Sequence, residues 1–233
     1  MAVNYASGSA GSFSGVPVTG FPFTMVCWGN FPASTTTRMP MSMGYVSGPT
    51  GVFSIEFAST TTTFRGVSGS GGTARTFTVN HPAGATTDVW YHFAYVCTSS
   101  TSRKGYINAG LPTVGASASS TLEASFDPGM NRVGLNTRFI GVGYGNSNPG
   151  RYAEWAIYSA ALNDDEIKAL YNGMSPVHIR PQNLEMYIPG IRPGDGITAG
   201  FVKELMGFAT GVTQGTLDSG GLITQFDHPR RYN

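Results

Sequence analysis

Thirteen carboxylates are spread over 233 residues, and their spacing is the first thing to test for chemistry. Cleaving a glycosidic bond takes two of them on either side of the sugar, roughly 5 to 10 Å apart. Residues two apart share one face of a strand, yet no strand-like segment carries Glu-x-Glu or Glu-x-Asp, and Glu56 and Glu154 stand alone. Asp164, Asp165 and Glu166 do cluster, but a helix start accounts for all three. An enzyme is therefore not expected. Calcium asks for several oxygen ligands, usually including more than one carboxylate. Asp127 near Asn131, in FDPGMN, and Asp88 are the candidates, and each reads better as a turn residue bonded to its own backbone. His81, His92, His178 and His228 are widely separated, and no serine or cysteine has a nucleophile's context. Gly69 to Gly72 lacks the lysine and the strand-turn-helix setting of a phosphate loop. Neither a metal nor a cofactor is expected.

Sugar recognition remains. Aromatic rings can cover a pyranose face while amides and guanidinium groups bond its hydroxyls. Tyr144, Asn146, Asn148, Arg151 and Tyr152 sit in or beside one loop, GYGNSNPG, and form the candidate glycan-binding set; the competing reading has the tyrosines merely covering a sheet edge. A second set lies near the end of the chain, where Phe226, His228, Arg230, Arg231 and Tyr232 make a small basic-aromatic cluster. Arginine and tyrosine favour interfaces, so this is the candidate assembly contact.

The elements that must position these residues are mostly strands. Phe23 to Phe31, Met39 to Val46, Val52 to Phe57, Phe64 to Val67, Thr76 to Val79, Val89 to Cys97, Lys104 to Asn108, Ala116 to Leu122, Asn131 to Leu135 and Arg138 to Val142 are short, evenly spaced and bounded by Gly, Pro or Ser/Thr clusters. Val89 to Cys97 is apolar on both faces and should be central. From Arg151 the chain alternates in period two, which predicts Ala153, Trp155 and Ile157 on one face and Tyr152, Glu154 and Tyr158 on the other. A helix follows, with Asn163 as N-cap, Glu166 completing a capping box, Leu162 stapled to Ile167, and Gly173 as the stop. Its apolar face, Ile167, Leu170 and Tyr171, needs a sheet to pack on. Regular strands with one helix predict an all-β fold, a two-sheet antiparallel jelly-roll sandwich with one short helix and an extended C-terminal arm. Residues 1–20 read as an N-terminal arm or edge strand, 21–175 as the sandwich, and 176–233 as the C-terminal extension. Within the latter Leu184 to Ile188 offers one more strand and Phe201 to Leu205 a helical turn.

Composition bounds the partners. Only 12% of residues are charged and the net charge is +1, against roughly 25% charged in an average globular protein. No basic footprint for nucleic acid or anionic lipid is present. No apolar run approaches the roughly 20 residues of a membrane helix, and the N-terminal residues show no secretory pattern. Neither nucleic acid nor a membrane is an expected partner. A nearly neutral surface favours association, so a homo-oligomer or a subunit of a larger assembly is expected. Cys27 and Cys97 lie in apolar runs and are expected as reduced core thiols, with a cross-strand disulfide as the alternative.

The order WYHFAYV, KGYINAG, NRVGLN and RYAEWAIYSAALNDDEIKALYNG resembles the laminin-G-like, concanavalin-A-like jelly-roll superfamily over about residues 15 to 175. Trp90, Tyr106 to Gly110, Val133 with Gly134, and Ile157 to Ile167 take the family's positions. Asn108-Ala109-Gly110 departs from the family's Asn-Gly pair by one residue, which implies a longer turn. The prolines of Ser175 to Pro181, the strand ending Tyr187-Ile188-Pro189 and His228-Pro229 look like C-terminal extensions of bacteriophage virion proteins that carry this sandwich. That resemblance implies a structural protein of the virion, assembled in the host cytoplasm. The reading it favours is a capsid decoration or cement protein bound to the major capsid protein or other virion subunits through its arms. The alternative is a tail- or fibre-associated, lectin-like module that binds host-surface glycans.

Overall fold

The computed structural model describes residues 3–5, 10–32, 37–45, 51–57, 63–70, 73–80, 88–111, 115–121, 126–127, 129–139, 144–145, 149–189, 201–202, 211–214 and 217–222. Two antiparallel sheets face each other. The first runs in the order β10 (Ala116–Ser120), β9 (Ser102–Ile107), β8 (Trp90–Ser99), β3 (Phe23–Asn30), β14 (Gly150–Tyr158), β1 (Val3–Tyr5) and β18 (Leu217–Leu222), with β15 (Leu184–Ile188) also on β14. The second runs β16 (Phe201–Val202), β17 (Gly211–Gln214), β2 (Ala10–Ser14), β11 (Arg132–Leu135), β4 (Arg38–Gly44), β5 (Val52–Phe57), β6 (Thr63–Ser70) and β7 (Thr73–Asn80). A small ladder joins β12 (Arg138–Phe139) to β13 (Tyr144–Gly145). This is the expected jelly-roll sandwich, and the described residues hold one α-helix, α1 (Asp164–Tyr171).

The strands alternate as half-buried strands must. Phe23, Met25 and Cys27 of β3, Phe93 and Tyr95 of β8, Met41 and Met43 of β4, and Phe53 and Ile55 of β5 meet in one core between the sheets. Its density of aromatic rings is high: Phe23 packs edge-on against Phe53 at 4.9 Å between centroids, a geometry the ring quadrupoles favour. The opposite side chains of the first sheet, Val26, Ala94, Val96, Ala156 and Tyr158, form a second core against Ile167 and Leu170 of α1. The helix is built as its sequence requires. Glu166 N–H donates to Asn163 Oδ1 at 2.9 Å and Asn163 N–H to Glu166 Oε2 at 2.8 Å, the two halves of the capping box. At the other end Met174 N–H bonds Ala169 O and Gly173 N–H bonds Leu170 O, with Gly173 at φ 96°, a Schellman stop.

Three expectations are corrected. First, the simple alternation along β14 fails. Between Ala153 and Ala156 the register against β3 slips by one residue, with Glu154 at φ 55°, so a β-bulge resets the phase. Tyr152 therefore joins Trp155 and Ile157 in the inter-sheet core, while Ala153 falls on the outer face with Ala156 and Tyr158. Second, the sandwich runs beyond residue 175, because Met186 and Ile188 of β15 enter its core. Third, Phe201–Val202 is a strand rather than the start of a helical turn. Both chain ends contribute strands within the chain itself: β18 pairs with β1, and β17 with β2. The three-residue Asn108–Gly110 turn has Asn108 and Ala109 at φ 49° and 60°, and β9 meets β10 at Ile107 and Ala116, a longer connection than a two-residue hairpin.

The cysteines are both free and buried. Cys97 stands opposite Phe23 in the β3–β8 ladder, four residues along from Cys27, roughly 13 Å at strand rise, where a disulfide needs its Cα atoms within about 7 Å. Burial pushes the Cys97 thiol up to about 12 and the Cys27 thiol up as well. In a thiol-reagent assay the folded protein should therefore leave both cysteines unmodified over hours, and denaturation should release two reactive thiols per chain.

Candidate functional site

Helix α1 covers only part of the first sheet's outer face. The register shows what lies beyond it. Arg151 pairs with Asn30, which pairs with Trp90, in one cross-strand row. The next row holds Ala153, Trp28 and His92. Parity places all six side chains on the outer face, since their neighbours Tyr152, Cys27, Tyr91 and Phe93 lie in the inter-sheet core. Tyr171, the last residue of α1, closes the inner border of the patch: its ring stacks on Trp28 at 5.8 Å and 16°, and His92 packs on Trp28 at 5.1 Å.

The patch is poorly satisfied in hydrogen bonds. Four buried side-chain polar atoms of the described residues lack a partner, and three of them are here: Asn30 Oδ1, Trp90 Nε1 and His92 Nδ1. Asn30 is 2% exposed and His92 1%. Native proteins satisfy most such atoms, because an unmet buried donor or acceptor costs about 1 to 3 kcal/mol. Three of the four such atoms therefore fall within two neighbouring rows of one sheet face. Burial lowers the His92 pKa to about 3, so the imidazole is neutral. Its backbone N–H donates to Asn108 Oδ1 at 2.9 Å, which fixes the strand beside it.

Of the expected glycan set, Arg151 lies on this patch. It is half-buried in the row with Asn30 and Trp90. Tyr152 is a correction: its ring is fully buried between the sheets and its hydroxyl donates to Asn136 Oδ1 at 2.9 Å, so it meets no ligand. The bulge at Glu154 is why it turned inward. Tyr144 pairs through its backbone with Phe139, while Asn146 and Asn148 lie outside the described residues. Phe226, His228, Arg230, Arg231, Tyr232 and His81 also lie outside them. Asp127 behaves as a turn residue, its Oδ1 accepting from Gly129 N–H at 3.0 Å and from the Tyr45 hydroxyl. Glu56 and Glu154 stand in opposite sheets, accepting from Ser54 Oγ at 3.0 Å and from Tyr187 OH at 2.6 Å. Among the described residues no three His, Cys, Asp or Glu side chains gather as metal ligands, and no helix is long and apolar enough to cross a membrane.

A groove of about 380 Å³ lies at the other end of the same sheet, lined by Thr98, Lys104, Tyr106, Ser119 and Thr121. Its lysine is already matched. Lys104 Nζ is 2.8 Å from Asp164 Oδ1, and Tyr106 OH donates to the same carboxylate at 2.5 Å. Those two bonds hold the Asp164 carboxyl below its ordinary range. The groove is thus less suited to recognition than the aromatic patch.

A family model described as the concanavalin A-like lectin/glucanases superfamily matches residues 6–168. The chain belongs to that superfamily. No curated protein matches it. Among solved structures it is similar to a Bacteroides ovatus protein provisionally described as carbohydrate binding, at 21% identity and TM-score 0.66, over 94% of this chain and 60% of that one. It is similar to tailspike protein 2 of bacteriophage CAB120 of Escherichia coli O157:H7, at 16% identity and TM-score 0.56, over 75% of this chain and 24% of that one. It also resembles the CBM40 module of the Ruminococcus gnavus IT-sialidase, solved with alpha2,3 sialyllactose, at 13% identity and TM-score 0.51, over 73% and 96% of the two chains. The chain thus spans 60% and 24% of the first two proteins, and all three likenesses establish a lectin-like fold.

Trp28, Asn30, Trp90 and Tyr171 were not singled out as functional in the sequence. A signal existed: Asn30 and His92 each stand two residues from a tryptophan, on the same face of a mostly apolar strand. The buried, neutral His92 gives a pH test. Its pKa is lower folded than its ordinary 6.5, so the unfolded chain binds more protons between about 6.5 and 3, and stability should fall with pH across that window. Urea unfolding of a His92→Leu variant should show a weaker loss of stability from pH 6.5 to 4 than the parent shows.

Proposed function

We propose that this sandwich is a non-catalytic glycan-binding module whose site is built on the outer face of the first sheet beyond Tyr171. The observation that carries it is the clustering of Asn30 Oδ1, Trp90 Nε1 and His92 Nδ1 without partners beside aromatic rings. A sugar supplies what such a surface lacks, since each hydroxyl both donates and accepts while the C–H face of the ring packs on an aromatic. The carbohydrate-related description of the Bacteroides protein and the sugar bound by the CBM40 module support this reading.

A narrower form places the module on a virion tail or fibre, binding host-surface glycans, in keeping with the tailspike likeness. The capsid-decoration reading, with the major capsid protein as partner, has less support. It relied on arms reaching neighbouring subunits, and strands β16 to β18 join the sheets of their own chain. What remains for it are the residues 223–233, beyond the described strands. Removing residues 223–233 should leave glycan binding intact on this reading, whereas loss of particle attachment with glycan binding unchanged would favour decoration.

The direct test is a glycan array probed with the full chain. Trp90→Ala should lower the retained signal by at least about tenfold, the scale of a central interface residue, with the folded circular-dichroism spectrum retained at the assay temperature. Lys104→Ala, in the groove, should leave it unchanged.

A further inference from the structure

We propose, resting on the glycan-binding reading, that the sugar this patch takes carries a carboxylate, and that Arg151 and the Trp90 indole N–H receive it. The donor balance points there. Arg151 offers five N–H donors and no acceptor, and it has no hydrogen bond or ion pair with any carboxylate among the described residues. Trp90 Nε1–H, a donor only, also lacks an acceptor, and stands in the same cross-strand row on the far side of Asn30. A neutral sugar hydroxyl could meet one of these donors but leaves the guanidinium charge unmatched. A planar carboxylate matches the guanidinium fork with two parallel bonds, the arrangement in which arginine is strongest.

The other charged groups around the patch do not supply that anion. Glu154, on the neighbouring bulge, accepts from the Tyr187 hydroxyl. Asp88 is exposed at the rim, where its backbone N–H bonds Phe31 O. It precedes Trp90 by two residues, in the turn that enters β8, at the opposite end of the row from Arg151. His92 is neutral and adds no charge. Asn30, 2% exposed, sits between the two donors with its Oδ1 free to accept a sugar hydroxyl. The patch therefore offers two donors for an anion flanking one acceptor for a hydroxyl, on an aromatic floor.

The test prints oligosaccharides in matched pairs, each uronic or sialic acid beside its methyl ester, and probes them with the full chain. Esterification removes the charge and leaves ring and hydroxyls alone. Wild-type protein should hold the free acids at least about tenfold more tightly than the esters, the scale of a charge-assisted bond. Arg151→Gln should bring each pair to within about twofold, Arg151→Lys should keep part of the preference, and Asp88→Asn should strengthen binding to the acids. Equal retention of acid and ester with Trp90 still required would overturn the carboxylate and leave glycan binding standing. An acid preference untouched by Arg151→Gln would likewise overturn it. Retention of neither kind would overturn both readings.

Discussion

One misplaced residue organises this molecule. Glu154 occupies the left-handed region at φ 55°, a conformation that costs a non-glycine residue about 1 kcal/mol or more. It is held there from two sides, by its N–H to Pro189 O at 3.3 Å and by its carboxylate accepting from Tyr187 at 2.6 Å. Both partners flank or belong to β15, so the strand added after the helix is what fixes the bulge. Because of it, Tyr152 and Trp155 can both face the inter-sheet core, where Trp155 Nε1–H bonds Pro40 O at 3.1 Å and ties one sheet to the other. The same slip sets which residues of β14 reach the outer face: Arg151 and Ala153 before it, Ala156 and Tyr158 after it.

The outer face is consequently divided. Behind the bulge, small Ala156 and Ala94 leave room for α1 to bury Ile167 and Leu170 against the sheet. Ahead of it, the helix has ended at its Schellman stop, and Tyr171 is its last contribution. The short helix could not cover more: eight residues rise about 12 Å. What lies ahead of Tyr171 is a patch whose floor is aromatic and whose polar atoms are not matched from within. The sequence–structure consistency seen elsewhere, with capping box, staple and stop all agreeing, breaks down here. Breakdowns of that kind gather at functional sites, where stability yields to binding.

The legible parts of the fold were those written in contiguous residues. Asn163, Glu166, Leu162, Ile167 and Gly173 specify α1 by chemistry that spans a few positions, and each does what its type predicts. The strands were legible from alternation, and the laminin-G-like order of motifs gave the sandwich. The bulge was not legible, because Ala153, Trp155 and Ile157 alternate convincingly and a glutamate carries no local sign of a left-handed backbone; a glycine or asparagine would have. That one miss exchanged the faces of Tyr152 and Ala153, and so put a core residue in the expected glycan set. The row of Arg151, Asn30 and Trp90 was illegible for a different reason. Its members are drawn from three strands far apart in sequence, and only the pairing register brings them together. The tail was ambiguous because Phe201 to Leu205 is too short for periodicity to separate helix from strand.

Charge gives Arg151 weight beyond its contacts. A chain with 12% charged residues and a net charge of +1 has little background potential for a ligand to feel, so a guanidinium with no anion paired to it among the described residues dominates its neighbourhood. The contrast with Lys104 is instructive, because the two cations sit on one sheet. Lys104 is matched by Asp164 at 2.8 Å, and that carboxylate also serves the helix start and Tyr106, so its charge is consumed by the structure. Arg151 serves no such purpose in the described contacts. A half-buried charge left unmatched costs more than an exposed one, since part of its hydration is gone; on the proposed reading a carboxylated sugar would offset that cost by meeting the charge and the two neighbouring hydrogen-bonding groups together.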